Sequence, residues 1–278
     1  MARALQWLLK KYEPWQRKRF EVPRQWAAQG GGIHAQSYSV TMRNTILADN
    51  LATSTQPDLW GSVNSLGNNL IESFCTITNV TASVITGTDP LLAPCRSYGG
   101  ARPAFLLRLN SPAIDRGGAG GPSVDQRGVP RPLDFSGVAN TDDGSDIGAV
   151  EFDNRDGDSD GMFNDWELQY GLNPTSSADS AQDADADDLN NLGEFQNVTD
   201  PGNSDSDGDG MGDGWEALHT LSPTNASDGL DDDDGDGAPN RDEFLADTQP
   251  TNAASKFVLS ISCTATQNTY RLSIPSSA

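Results

Sequence analysis

The sequence predicts a mainly β chain in two parts: the end of a right-handed parallel β-helix, then an array of irregular acidic loops with short helical turns. Three observations predict it. With 28 glycines and 16 prolines in 278 residues, the composition favours many short elements joined by turns. A glycine run leads into an alternating strand, and further along an acidic pattern recurs at a fixed period. The formal charge of −22 is also unevenly spread. Residues 156–250 hold 26 Asp and Glu against one base, Arg241, a net of −25 that exceeds the imbalance of the whole chain. Such a stretch repels itself and has few apolar groups, so it either stays disordered or neutralises its carboxylates with cations. The charge argues against nucleic acid as a partner.

Residues 1–29 form a basic leader: Arg3, Lys10, Lys11, Arg17, Lys18, Arg19 and Arg24 supply seven of the 18 bases. The apolar stretch from Ala4 to Leu9 is too short for a signal peptide before Lys10 and Lys11. The expectation is a poorly ordered leader, or a start placed inside a longer gene. No run of about 18 apolar residues exists, so no transmembrane segment is expected. Cys75, Cys95 and Cys263 form no CxxC pair or Cys/His cluster, which removes support for a zinc or redox site. Cys75 and Cys95 can form one disulfide, a question spacing alone leaves open.

Residues 30–152 read as the terminal part of the β-helix. After Gly30, residues 39–50 run SVTMRNTILADN, with Val40 and Met42 alternating before Ile46 and Leu47, and with turn residues at Asn44 and Asn50. A glycine turn, an alternating strand and an Asn-bearing turn suit one rung of a parallel solenoid. Rungs bury their faces only against each other, so about three or more are needed. Further on come WGSVNSLGNNLIE, ITGTDPLLAP, LLRLNSPAIDRGG, SVDQRGVPRPLD and SDIGAVEF. Asp115, Asp125, Arg127, Arg131 and Asp146 recur there around tight turns, where charges pair with each other or with turn amides more often than they catalyse. In this order the segments resemble the terminal region of the bacterial surface proteins called choice-of-anchor Q. The resemblance implies a secreted, surface-retained β-helix with no established chemistry.

Residues 153–253 carry four twelve-residue acidic windows: 156–167 (DGDSDGMFNDWE), 183–194 (DADADDLNNLGE), 205–216 (DSDGDGMGDGWE) and 232–243 (DDDGDGAPNRDE). The first and third begin 49 residues apart, as do the second and fourth, so a two-loop unit has been duplicated. Ca²⁺ takes about six to eight hard oxygens, and a short loop has to wrap around it. Positions 1, 3 and 5 supply carboxylates: Asp156, Asp158 and Asp160; Asp183, Asp185 and Asp187; Asp205, Asp207 and Asp209; Asp232, Asp234 and Asp236. Glycine at position 6 permits the sharp turn, in Gly161, Gly210 and Gly237. Position 7 offers a backbone carbonyl from Met162, Leu189, Met211 or Ala238. Position 9 reaches the ion directly or through water from Asn164, Asn191, Asp213 or Asn240. Glu167, Glu194, Glu216 or Glu243 closes the site at position 12.

The second loop has Asp188 at position 6 and is expected to be the weakest site. Apolar residues repeat with the loops, Trp166 with Trp215 and Phe195 with Phe244, and are expected to form small cores. The exits after Trp166 and Trp215 allow a turn or so of helix before LNPT or LSPT. D-x-D-x-D-G, an ending like Gly-Trp-Glu and the Pro-Thr that follows resemble bacterial thrombospondin type 3-like calcium repeats. The resemblance implies calcium binding, and the scarcity of apolar residues to offset chain entropy implies that folding of this spacer is coupled to it. Residues 254–278 read as two strands that begin a further β domain.

The function expected is a non-catalytic, calcium-binding segment of a secreted or cell-surface protein. Its expected partners are calcium and a cell-surface polysaccharide or another surface protein. A polysaccharide lyase-like β-helix enzyme is the rival reading, but it needs several rungs with acid and base on one face, and His34 and His219 sit in no such motif. A dockerin-like docking module is disfavoured by the 49-residue period, the Glu at position 12 and the short exit helices.

Overall fold

The computed structural model describes residues 32–51, 58–73, 77–80, 84–118, 120–256, 260–264 and 269–273. The basic leader and Cys75 lie outside the described residues. Cys95 is a free thiol among the described residues. The chain divides into two compact units. The first runs to Gly157 and includes Phe163–Pro174; the second comprises Asp158–Met162 and the residues from Thr175 on.

In the first unit, β1 (Ile33–Met42), β3 (Leu59–Ser65) and β5 (Ile77–Val80) form one parallel sheet in the order β1-β3-β5. β2 (Ile46–Leu47), β4 (Asn69–Ile71) and β6 (Val84–Thr86) form a second, in the order β2-β4-β6. Each passage of chain therefore adds one strand to each sheet. Ile33 stands beside Leu59, and Ile46 beside Leu70, which stands beside Ile85. Apolar side chains stack from passage to passage, and Met42, Leu47, Leu59 and Ile71 form a buried cluster.

The corners between the two sheets hold polar groups, and Asn69 meets its hydrogen bonds internally. Asn69 accepts from the Thr45 amide at 3.0 Å and donates to Met42 O and Ser65 Oγ. Asn44 and Asn68 take left-handed backbone, with φ of 48° and 54°. Asn tolerates this conformation better than most residues, which explains its place at these turns.

Residues 84–157 contain few regular strands and are held by two other devices. Phe135, Phe152 and Phe163 meet edge to face with ring centroids 5.7–6.0 Å apart, beside buried Leu107, Ile114 and Ile147. The second device is a buried charge network. Arg127 pairs with Asp125 at 3.0 Å and with Asp165 at 2.6 Å, and donates to Glu151 O. Arg131 pairs with Glu151 at 2.8 Å. Asp146 accepts from the amides of Asp115 and Phe152. Burial and the neighbouring Glu151 nonetheless push the Asp146 carboxyl up to about 8.

Removing Arg127 would leave two carboxylates buried without their cation, at a typical cost of about 3–5 kcal/mol. Arg127→Met should therefore lower the urea midpoint of the first unit's transition by a corresponding amount. A change under about 1 kcal/mol would show that water or protonation compensates.

In the second unit short helices replace the parallel strands. α2 (Asn191–Asn197), α3 (Asp213–His219) and α4 (Asn240–Ala246) each span seven residues, as does α1 (Asn164–Tyr170) of the first unit. β7 (Ser260–Thr264) and β8 (Thr269–Ser273) pair antiparallel, with Ile261 beside Leu272.

Candidate metal centres

Each helix begins at the ninth position of its loop, and one hydrogen bond closes each loop behind it. The ninth amide donates to the carbonyl of the residue before position 1: Asn164 to Arg155, Asn191 to Gln182, Asp213 to Ser204 and Asn240 to Asp231, at 2.8–3.2 Å. Inside the loop, the chain turns twice through left-handed backbone. At position 4, Ser159, Ala186, Gly208 and Gly235 have φ of 63–80°. At position 6, Gly161, Asp188, Gly210 and Gly237 have φ of 76–100°. Asp188 thus adopts the conformation that glycine adopts in the other three, at some steric cost.

The carboxylates of the loop share the work of holding it. Asp205 accepts from the amides of Gly208 and Gly210, and Asp232 from those of Gly235 and Gly237, so position 1 templates both turns. Asp183 does the same with Ala186 and Asp188. At position 5, Asp160, Asp187, Asp209 and Asp236 each accept the amide of position 7, from Met162, Leu189, Met211 and Ala238. Met162 and Met211 also bury their side chains completely.

The ninth side chain works as a brace. Asn164 Oδ1 accepts the Gly157 amide at 2.9 Å, and Asp213 Oδ1 the Ser206 amide at 2.8 Å. Asn240 accepts weakly from the Asp233 amide and donates to Asp228 O. Asn191 donates to Asp179 O, and its own oxygen is buried with no hydrogen-bond partner.

Several acidic groups in the second unit could hold a metal ion. Asp207, Asp209, Glu216 and Asp228 each place an oxygen within 4.8 Å of the others. Asp158, Asp160 and Asp179 converge in the same way. So do Asp183, Asp185 and Asp187, then Asp187 with Glu194 and Asp213, and finally Asp232, Asp234 and Asp236. Asp156 is exposed and Asp205 is turned to its amides; neither belongs to a group. Glu167, on α1, is fully buried. Glu243 is also buried and is held by Thr248 Oγ1 at 3.2 Å.

Two members of these groups escape the twelve-residue count. Asp179 and Asp228 each lie twelve residues beyond the closing glutamate of their loop, Glu167 and Glu216. The signal was present in the period, since Asp179 and Asp228 are themselves 49 residues apart. Asp213 likewise joins Asp187 and Glu194 of the preceding loop, where the Gly214 amide also donates to Asp187 at 3.0 Å. That close approach needs glycine: a β-carbon on Gly214 would lie 2.1 Å from Asp187 O.

The electrostatics of these groups are unfavourable without a cation. Asp207 Oδ2, Asp209 Oδ2, both oxygens of Glu216 and Asp228 Oδ1 are buried with no hydrogen-bond partner. Both oxygens of Asp158 and of Asp185, Glu194 Oε1 and Asp234 Oδ2 share that condition. A buried, unpaired carboxylate costs several kcal/mol and is relieved by a proton or a metal ion. Burial, then the carboxylates of Asp207, Asp209 and Asp228, push Glu216 up to about 8. Burial pushes Glu194 equally far, with Asp187 and Asp213 adding to it against a hydrogen bond from Thr199. Convergent, desolvated oxygens whose charge is this costly fit a resident cation.

Compared with protein-family models, with curated proteins and with solved structures, the chain finds no match in any of the three. Among the described residues no helix is long and apolar enough to cross a membrane.

Proposed function

We propose that this chain is a non-catalytic, calcium-binding structural segment of a secreted or cell-surface protein, with its acidic loops acting as a metal-rigidified spacer. The observation that carries this reading is the set of buried, unpartnered oxygens on Asp207, Asp209, Glu216 and Asp228. Every donor in that set is a carboxylate oxygen. Hard oxygens in such number suit Ca²⁺, whereas zinc and copper sites draw on imidazole or thiolate. Bound there, the ion would supply positive charge to Asp207, Asp209, Glu216 and Asp228, to Asp183, Asp185, Asp187, Glu194 and Asp213, and to the oxygens of the first and fourth loops.

An extracellular location is part of this reading. Extracellular calcium modules have dissociation constants of about 10⁻⁴ to 10⁻³ M, which only fill where free calcium is of that order. The paired parallel sheets agree with the end of a β-helix like that of choice-of-anchor Q proteins, and the loops with thrombospondin type 3-like repeats. A surface polysaccharide or another surface protein is the partner class that such a spacer would present.

Calorimetric titration of the full chain with CaCl₂ tests the reading. Binding in the range above is expected, and Glu216→Gln should remove one site from the stoichiometry. An isotherm with no heat of binding, or a Glu216→Gln variant that binds as the parent does, would overturn it.

A further inference from the structure

The fourth loop ends the array, yet the residues after it keep the framework of the repeat. Ser255 Oγ accepts the Gln249 amide at 3.0 Å, as Ser206 Oγ accepts the Asp200 amide at 3.1 Å 49 residues earlier. One residue further on, the two copies diverge in charge. The third loop has Asp207 there, a member of its oxygen group; after the fourth loop, the same place holds Lys256.

The Lys256 ammonium reaches back onto the fourth loop. Its Nζ donates to Asp236 O at 3.1 Å and lies 3.4 Å from Asp236 Oδ2. The Asp236 side chain is 3 % exposed and belongs to the group formed with Asp232 and Asp234. Asp207, Asp209, Glu216 and Asp228 of the third loop have no such ion pair among the described residues. The fourth loop therefore carries a cation of its own.

We propose that Lys256 is a tethered counter-ion of the fourth loop, an ammonium that competes with the divalent cation and weakens this loop's hold on it. The inference rests on the calcium reading above. A divalent ion entering the group must displace the ammonium from Asp236 or bear its repulsion at close range. Lys256 keeps 46 % of its side chain in solvent, so screening limits the penalty to a modest factor. A lysine placed where another acidic loop would begin also closes the array with a charge of opposite sign.

Calorimetry on the full chain, its Lys256→Met variant, the Glu243→Gln variant and the double variant tests this. Methionine keeps the length of the stem without the charge, and glutamine keeps the volume of Glu243. Lys256→Met should tighten the calcium step that Glu243→Gln removes by about three- to tenfold. In the Glu243→Gln background, where the fourth loop is already disabled, the tightening should vanish. A Lys256→Met isotherm that superimposes on the parent's, or a tightening that persists undiminished beside Glu243→Gln, overturns the proposal and leaves the calcium reading standing. Absence of calcium binding by the parent chain would sink both.

Discussion

Stripping divalent cations from the chain at neutral pH is expected to melt α2, α3 and α4 while the parallel sheets of the first unit keep their amide protection. The difference lies in what each unit buries. Around the sheets, Leu47, Leu59, Leu70, Ile71, Leu106, Leu107, Ile114 and Phe152 are all almost fully buried. In the second unit the buried apolar side chains among the described residues are Met162 and Met211, with Pro201, Pro223 and Pro250. Its other buried side chains are polar: Asp179, Asn191, Glu194, Thr199, Asp213, Glu216, Asp228, Asn240 and Glu243. Two methionines and three prolines cannot offset the chain entropy of so long a segment, at roughly 1–2 kcal/mol per ordered residue. Seven-residue helices do not persist alone either, because isolated helices below about 12–15 residues are marginal in water.

On the calcium reading proposed above, what holds the unit is the attraction between its carboxylates and a cation, so folding and metal binding become one equilibrium. Hydrogen exchange with and without chelator measures this element by element. Amides of residues 191–197, 213–219 and 240–246 should lose protection, and those of β3 and β4 should not. Trp215 is half-buried and packs on Phe244 at 5.1 Å, so its emission should shift to the red as the helices part. Equal protection of α3 in both conditions would mean that the second unit folds without an ion.

The features legible in the sequence are those set by local spacing. A carboxylate at every second place and a left-handed sixth residue are properties of one short loop, and the backbone at Gly161, Asp188, Gly210 and Gly237 follows that rule. Contributions from outside the loop were harder to see. Asp228 enters the third group because the chain turns back through Pro223 and the short 3-10 turn Asp228–Leu230, a path that counting twelve residues does not follow. The ninth positions were expected to face an ion; their engagement with backbone amides depends on how helix and loop meet. In the first unit, Arg127 and Asp125 were recognisable as turn charges. Asp165, 38 residues further on, counted as an unassigned place inside the first loop, yet it is the closer partner of Arg127 at 2.6 Å. Pairings of that kind follow from tertiary folding and leave no periodic trace.

Acid should restore in the metal-free chain part of what chelation takes away. Glu194 and Glu216 stand at about 8 when folded without a cation, against an ordinary value of 4.5. Burial also raises Asp185, Asp207, Asp213 and Glu243. Each raised group holds its proton in the folded state over a range where the unfolded chain has released it. Stability then falls as pH rises, because the folded state binds more protons than the unfolded one. The contribution is fully present below about pH 4 and is lost as the pH passes through about 8. The metal-free second unit should therefore be more ordered near pH 5 than near pH 8.5. Calcium should reverse the slope, since a bound ion needs the same oxygens deprotonated and protons then compete with it. Tryptophan emission and exchange of the α3 amides, followed from pH 4.5 to 9 in calcium-free and calcium-saturated buffer, should give curves of opposite sign. Parallel curves would mean that Glu194 and Glu216 do not face the ion, and that the cost of burying them is met in some other way.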